Sequence, residues 1–207
     1  MRVNLYYSIG EFPWGMPLAC KVYELKGTTL DRIIEALEEG SPGVAARRTG
    51  TGAVGSVELA EGLKVPFEIY NFRGKPFLIV FAGRRRAAKA ARMLSRLANV
   101  EVLEVTLRPE KVLDAFAGSV IKLVVFDMVR VPGLRRVVLS GAAVSDSELY
   151  KEFAATSEIR YVLFQTSEGL VLGVSNSCTI VALSKISAED ISSTVKEYLL
   201  PLISPLA

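Results

Sequence analysis

The sequence predicts an α+β fold in which antiparallel sheets carry helices packed on one face. Long blocks of alternating or β-branched residues are separated by only a few helical segments, unlike the regular strand–helix order of a doubly wound parallel sheet. Tight turns at Arg73-Gly74 and Glu168-Gly169 join successive strands, as in β-hairpins. Since 50% of the 207 residues are hydrophobic, the chain can bury a large core.

Strands are predicted where such runs are bounded by turn residues, at 3–8, 17–25, 54–60, 65–72, 76–82, 100–107, 119–130, 134–141, 158–166, 169–174 and 177–183. Helical periodicity predicts helices at 29–40, 84–98, 109–117, 145–155 and 187–203. Three helix starts resemble capping boxes, with a hydroxyl residue three positions before an acid: Thr28–Asp31, Ser145–Glu148 and Ser187–Asp190.

The order helix, three strands, helix occurs twice, over 29–98 and 145–203. We interpret this as a degenerate internal duplication, with an N-terminal half at 1–99 and a C-terminal half at 100–207. One stretch, 41–56, is glycine-rich and basic, and it is predicted to be a long loop.

The residue types present disfavour an enzyme. The chain contains no histidine, which removes Ser-His-Asp and Cys-His catalysis and histidine-based metal sites. Cys20 and Cys178 stand in apolar segments without a CxxC partner, which predicts buried small side chains rather than a redox pair or a zinc site. We therefore expect no catalytic residues, no metal and no cofactor.

No apolar run approaches the ~18–20 residues that span a bilayer, and the start of the chain lacks a signal-peptide pattern. These observations predict a cytoplasmic protein without a membrane partner.

Positive charge is concentrated in the middle of the chain. The net charge is only +3, but residues 41–99 contain eleven basic and three acidic side chains, a local net charge of +8. The flanking parts are negative, at −2 for 1–40 and −3 for 100–207. Such asymmetry indicates an anionic partner for the basic segment.

The predicted helix at 84–98 is the strongest candidate for contact with an anion. Four basic residues at intervals of four, three and four share one of its faces: Arg85, Lys89, Arg92 and Arg96. Its first turn begins with Arg84, Arg85 and Arg86, at the positive end of the helix dipole, where a bound phosphate would relieve the repulsion. The alternative is a solvated basic face.

Glycines 50, 52 and 55 match the GxGxxG pattern, but no buried strand precedes them and no helix follows, so a dinucleotide site is not predicted. Arg47 and Arg48 precede the motif, and the segment is interpreted as an arm that closes over a phosphate backbone. Its alternative is a mobile hairpin connection.

Aromatic residues in the basic segment offer a second mode of contact. Tyr70 and Phe72 share one face of the predicted strand 65–72, opposite Phe67. Core packing is the favoured interpretation for most of these aromatics. The second face is interpreted as an open platform on which bases stack.

The segment Val65–Gly83 and the following helix resemble the hairpin and closing helix of a TATA-binding-protein half, and Lys21–Leu37 is similar to its opening strand and helix. This resemblance, over residues 17–99, implies a sheet with helices on one face. A rival resemblance covers 119–203: Ile159–Val174, Thr179–Leu183 and a long helix are similar to the end of a roadblock or longin domain. That family consists of dimerising scaffolds, which implies a protein partner.

The sequence therefore predicts a non-enzymatic protein that binds DNA or RNA. The basic helix and the Gly/Arg loop would contact the phosphate backbone, and Tyr70 or Phe72 would stack on bases. The alternative is a roadblock/longin-like interaction module that binds a protein or forms a homodimer.

Overall fold

A computed structural model describes residues 18–39 and 42–205, so the strand predicted at 3–8 lies outside the described residues. The strands are β1 (Leu18–Lys26), β2 (Val44–Thr49), β3 (Gly52–Ala60), β4 (Leu63–Phe72), β5 (Lys75–Val80), β6 (Glu101–Thr106), β7 (Val120–Asp127), β8 (Arg136–Ser140), β9 (Glu158–Gln165), β10 (Val171–Ser175), β11 (Thr179–Ala182) and β12 (Ser204–Pro205). The helices are α1 (Leu30–Glu38), α2 (Arg84–Ala98), α3 (Pro109–Ala115), α4 (Glu148–Thr156) and α5 (Ala188–Thr194). After α5 the chain continues through a π-helical turn, Val195–Leu199, and a 3-10 turn, Leu200–Leu202.

The strands form one antiparallel sheet in the order β2-β3-β4-β5-β1-β11-β10-β9-β7-β8, which confirms the predicted α+β class. Strand β1 is central. One of its edges pairs with β5, while the other pairs with β11 along Leu18–Lys21 and with β6 along Tyr23–Lys26. Strand β12 extends the sheet beyond β6. The two predicted halves therefore share one continuous sheet.

Helices cover opposite faces of this sheet in its two halves. Helices α1 and α2 pack on one face of the N-terminal half, over buried residues such as Phe67 and Leu78. The other face of β1 and β5, including Ile79, belongs to a second core that it shares with Val124 and Phe164 of the C-terminal half. Buried residues of α3, α4 and α5 complete that second core. Each half thus carries its helices on one face, but not on the same side of the sheet.

The predicted loop at 41–56 is wrong. Strands β2 and β3 form a hairpin there, closed by Gly50 and Thr51, so four strands rather than three separate α1 from α2. The glycines that suggested a loop lie in β3 at close strand contacts. A Cβ atom on Gly52 would stand 1.9 Å from the Ile69 carbonyl oxygen, and one on Gly55 would stand 2.2 Å from the Ala45 carbonyl oxygen. The GxGxxG match therefore reflects packing within the sheet.

Of the three predicted capping boxes, only that of α5 is confirmed. Ser187 Oγ accepts a hydrogen bond from the Asp190 amide, and the Asp190 carboxylate accepts one from the Ser187 amide. Helix α1 begins after Thr29, whose side chain makes no cap. Helix α4 is capped by Ser147 rather than Ser145, since its hydroxyl accepts from the Tyr150 amide.

Cys20 and Cys178 are free and buried, which confirms the prediction that they pack as small apolar side chains. Burial raises the pKa of the Cys20 thiol and raises that of Cys178 to about 12, so both stay protonated at neutral pH. In the described ranges, no helix combines the length and the apolar composition that crossing a membrane requires.

Candidate nucleic-acid interface

Helix α2 lies on the sheet through a stripe of small residues. Ala87, Ala90 and Leu94 are buried against the strands below. The opposite face is exposed to solvent along the whole helix, and it contains the four residues that the spacing placed there: Arg85, Lys89, Arg92 and Arg96. From Arg85 to Arg96 the helix rises about 16 Å along its axis, so its exposed face forms a basic ridge of that length.

Five arginines on this helix have no acidic partner. Within residues 18–39 and 42–205, no carboxylate lies within ion-pairing distance of the exposed guanidinium groups of Arg84, Arg85, Arg86, Arg92 and Arg96. Arg92 Nε donates to the Ala88 carbonyl oxygen of its own helix, at 3.2 Å. The charges of these five arginines are therefore not neutralised by the described part of the protein.

The first turn of α2 adds to this positive field. Its N-cap is Gly83, which has no side chain to bond the first-turn amides, and the turn contains no acid. Amide groups at a helix start carry partial positive charge. That charge coincides with three successive arginines, and an anion placed there would interact favourably with both.

Lys89 differs from the arginines of the ridge. Its ammonium donates to the Leu59 carbonyl oxygen at the end of β3, at 2.9 Å. This bond ties the helix to the sheet, so Lys89 contributes charge to the ridge but is not free to follow a ligand.

Arg47 and Arg48 do not join the ridge, and they lie in a strand rather than in the predicted arm. They are successive residues of edge strand β2 and point to opposite faces of the sheet. Arg48 forms an ion pair with Asp31 of α1, which raises the pKa of its guanidinium, and its amide donates to Glu38 Oε1 at 2.8 Å. Helix α1 packs against both β2 and α2, and thus lies between Arg48 and the ridge.

Tyr70 and Phe72 do not form an open platform either. They are half-buried on the face of β4 away from α2, against the second core. The Lys196 ammonium lies 4.9 Å from the centre of the Tyr70 ring, and the Arg73 guanidinium lies 5.0 Å from that of Phe72. Phe67, Phe77 and Phe81 are buried, in agreement with the prediction that most aromatic residues of the basic segment pack in the core.

A polar cluster that the sequence patterns did not predict lies beneath α2. The fully buried Lys21 donates to the Ser177 carbonyl oxygen at 3.1 Å and pairs with Glu104 at 3.3 Å. The hydroxyl of Tyr23 beside it has no partner among the described residues. Burial and the Glu104 carboxylate raise the pKa of Tyr23, while the charges of Arg84 and Arg92 act in the opposite direction. The sequence did contain one signal of this cluster, namely the lysine at position 21 within the otherwise apolar run 18–23.

Unlike the arginines of α2, two arginines in the C-terminal half form ion pairs with an aspartate. Asp127 accepts two hydrogen bonds from Arg136, both at 3.0 Å, and a third from Arg160 at 2.7 Å. These bonds lower the pKa of Asp127 to about 2. The aspartate thereby fixes the start of β8 to β7 and β9 and neutralises charge that would otherwise be free.

This ion cluster predicts a pH-dependent contribution to stability. An unfolded aspartate has a pKa of about 3.9, so the depressed pKa of Asp127 stabilises the folded state above pH ~4, and this contribution is lost as the pH falls towards 2. We expect Asp127→Asn to lower the thermal midpoint at pH 7 and to match the wild type near pH 2. Thermal melts of both proteins across this range test it, and a constant difference at all pH values would contradict it.

Comparisons with known proteins give no further guide to this site. No protein-family model matches the chain, and no curated protein matches it.

Proposed function

We propose that the protein binds nucleic acid without catalysing a reaction, through phosphate contacts along α2. The observation that supports this is the set of five exposed arginines on one helix, none of which has an acidic partner in the described structure. A guanidinium group can donate two parallel hydrogen bonds to a phosphate and stays charged at any physiological pH.

The shape of the ridge favours a backbone rather than a base-reading contact. Phosphates recur every ~3.4 Å of axis along one strand of a duplex, so a ridge of about 16 Å spans several of them. The ridge contains only basic side chains on its outer face, without the amide or aromatic groups that read base edges. Binding of this kind is weakly specific for sequence and weakens steeply as salt rises.

Charge reversal on the ridge is expected to abolish binding. In the triple variant Arg85→Glu, Arg92→Glu, Arg96→Glu, labelled single- and double-stranded DNA and RNA should no longer bind at low salt. Because these side chains are exposed and unpaired, the thermal midpoint should stay nearly unchanged. A single Arg92→Ala change should reduce the slope of log affinity against log salt by ~0.7–0.9.

The matched control is Arg47→Glu, since Arg47 is also exposed on the same half but lies at the sheet edge. It should weaken binding much less than Arg85→Glu does. Absence of wild-type binding at low salt would overturn the proposal. Binding that does not weaken with salt would contradict phosphate contact, and equal losses for Arg47→Glu and Arg85→Glu would remove α2 from the interface.

A further inference from the structure

The two ends of the sheet are protected to different degrees. Strand β2 at one end carries Arg47 and Arg48 and is supported by α1, and charged side chains on an edge discourage pairing with another strand. Strand β8 at the other end contains Val137, Val138 and Leu139 between Arg136 and Ser140. Among residues 18–39 and 42–205, no strand pairs with its outer edge.

Exposed apolar side chains are concentrated beside this open edge. Of the eight large hydrophobic residues that are exposed in the described ranges, four belong to β8 or to the turn that joins it to β7. They are Met128, Val131, Leu134 and Val138, with exposed fractions of 69%, 37%, 48% and 55%. Single exposed apolar residues are common on monomers, but a cluster along one edge indicates an interface.

We propose that two copies of the chain associate by antiparallel pairing of β8 with β8, across a two-fold axis at Val138. In an antiparallel pair, residues directly opposite each other have their side chains on the same face of the sheet. A two-fold axis normal to the sheet keeps each side chain on its own face, so the axis must lie between the two copies of one residue. Only a centre at Val138 lets all five residues pair: Arg136 faces Ser140, Val137 faces Leu139, and Val138 faces its own copy.

This register is favourable on both faces of the sheet. Val137 and Leu139 are partly buried against the second core, so their pairing would extend that core across the axis. Val138 lies on the other face, where it would meet the exposed Val138 of the second copy. No like charges oppose each other, because Arg136 meets a serine, and apolar cross-strand pairs of this kind stabilise a sheet.

Charges beyond the strand are complementary in the same register. Continuing it, the turn 128–135 of one copy approaches residues 141–148 of the other. In that register Arg130, which has no carboxylate partner in the described chain, falls opposite Asp146, which has no basic partner there. The two-fold axis repeats this contact, so the same patch serves both copies. None of these residues belongs to α2, and the inference is independent of nucleic-acid binding.

Sedimentation velocity over a range of concentrations tests the association. The wild type should form a dimer that dissociates on dilution, and Val138→Lys should shift it to monomer, since a lysine on an edge blocks pairing. The matched control is Leu183→Lys, at a residue that is 51% exposed elsewhere, and it should leave the dimer intact. A wild type that is monomeric throughout, or a dimer lost equally in both variants, overturns the proposal.

Engineered cysteines test the register. With Val138→Cys, the two introduced thiols face each other across the axis, and mild oxidation should give a covalent dimer in high yield. Ser140→Cys places them about 13 Å apart, so it should not cross-link. The buried thiols of Cys20 and Cys178 do not compete. Equal cross-linking of both variants would overturn the register.

A charge exchange tests the contact beyond the strand. Arg130→Glu should weaken the dimer, and adding Asp146→Arg to it should restore the association. An Arg130→Glu variant that dimerises as strongly as the wild type would contradict this contact.

Discussion

Replacing Glu68 with alanine is expected to lower the free energy of unfolding by about 3 kcal/mol. Glu68 lies in β4, is only 5% exposed, and points away from α2. Its carboxylate accepts hydrogen bonds from Ser192 Oγ and from Lys196 Nζ, both at 2.5 Å. Without this carboxylate, the Lys196 ammonium and the Ser192 hydroxyl lose their acceptor at a contact that is largely shielded from water.

The size of this effect follows from the burial of the pair. Breaking a fully buried ion pair costs ~3–5 kcal/mol, and the lower end applies here because the Lys196 side chain is 25% exposed and can regain some hydration. Ser192→Ala removes one neutral donor and should cost only about 1 kcal/mol.

Urea denaturation of a double-mutant cycle tests this prediction. Adding Lys196→Met to Glu68→Ala should recover part of the lost stability, because the unpaired ammonium is removed as well. Glu68→Gln keeps one acceptor oxygen and should lie between the wild type and Glu68→Ala. If Glu68→Ala stays within ~0.5 kcal/mol of the wild type, the carboxylate does not hold the two elements together.

Glu68 also shows what joins the two halves of the chain. Ser192 belongs to α5 and Lys196 to the turn that follows it, more than 120 residues from β4. These bonds place the C-terminal helix over the face of β4 that sequence analysis interpreted as an open platform. The sequence of β4 alone does not predict this contact. The alternation of side chains along a strand assigns residues to two faces, but it does not indicate which element covers either face.

Local structure was the part of the fold that the sequence predicted well. Helix α2 was predicted at 84–98 and is observed over the same residues, since its small apolar stripe and basic face repeat with the helical period. Strands β4 and β9 were predicted within two residues of their observed ends. These elements are determined mainly by interactions between near neighbours.

The residues of the candidate site also fall into two groups: those whose exposure local spacing predicts, and those whose contacts depend on distant parts of the chain. The exposure of Arg85, Arg92 and Arg96 follows from their spacing on one helix and was predictable. The pairing of Arg48 was not, because its partner Asp31 is 17 residues away on a helix whose position depends on the whole sheet. The open edge of β8 was also hidden, since the order of strands in a sheet is not encoded in the pattern of any single strand.

Glycine 52 gives the second large expected effect, because Gly52→Ala should destabilise the protein by about 3 kcal/mol or more. The added Cβ would lie 1.9 Å from the Ile69 carbonyl oxygen and 2.8 Å from its carbonyl carbon. These are backbone atoms, so β3 and β4 would have to separate and weaken their hydrogen bonds.

The matched control for this substitution lies in the same motif. Gly50→Ala should change stability by less than ~0.5 kcal/mol, because among the described residues, apart from its two chain neighbours, no atom lies within 4 Å of the position its Cβ would take. Chemical denaturation of the two variants separates the two interpretations of the glycine motif. Packing within the sheet requires a glycine at 52 and tolerates alanine at 50, whereas a loop that closes over a ligand would leave the free protein equally stable in both variants.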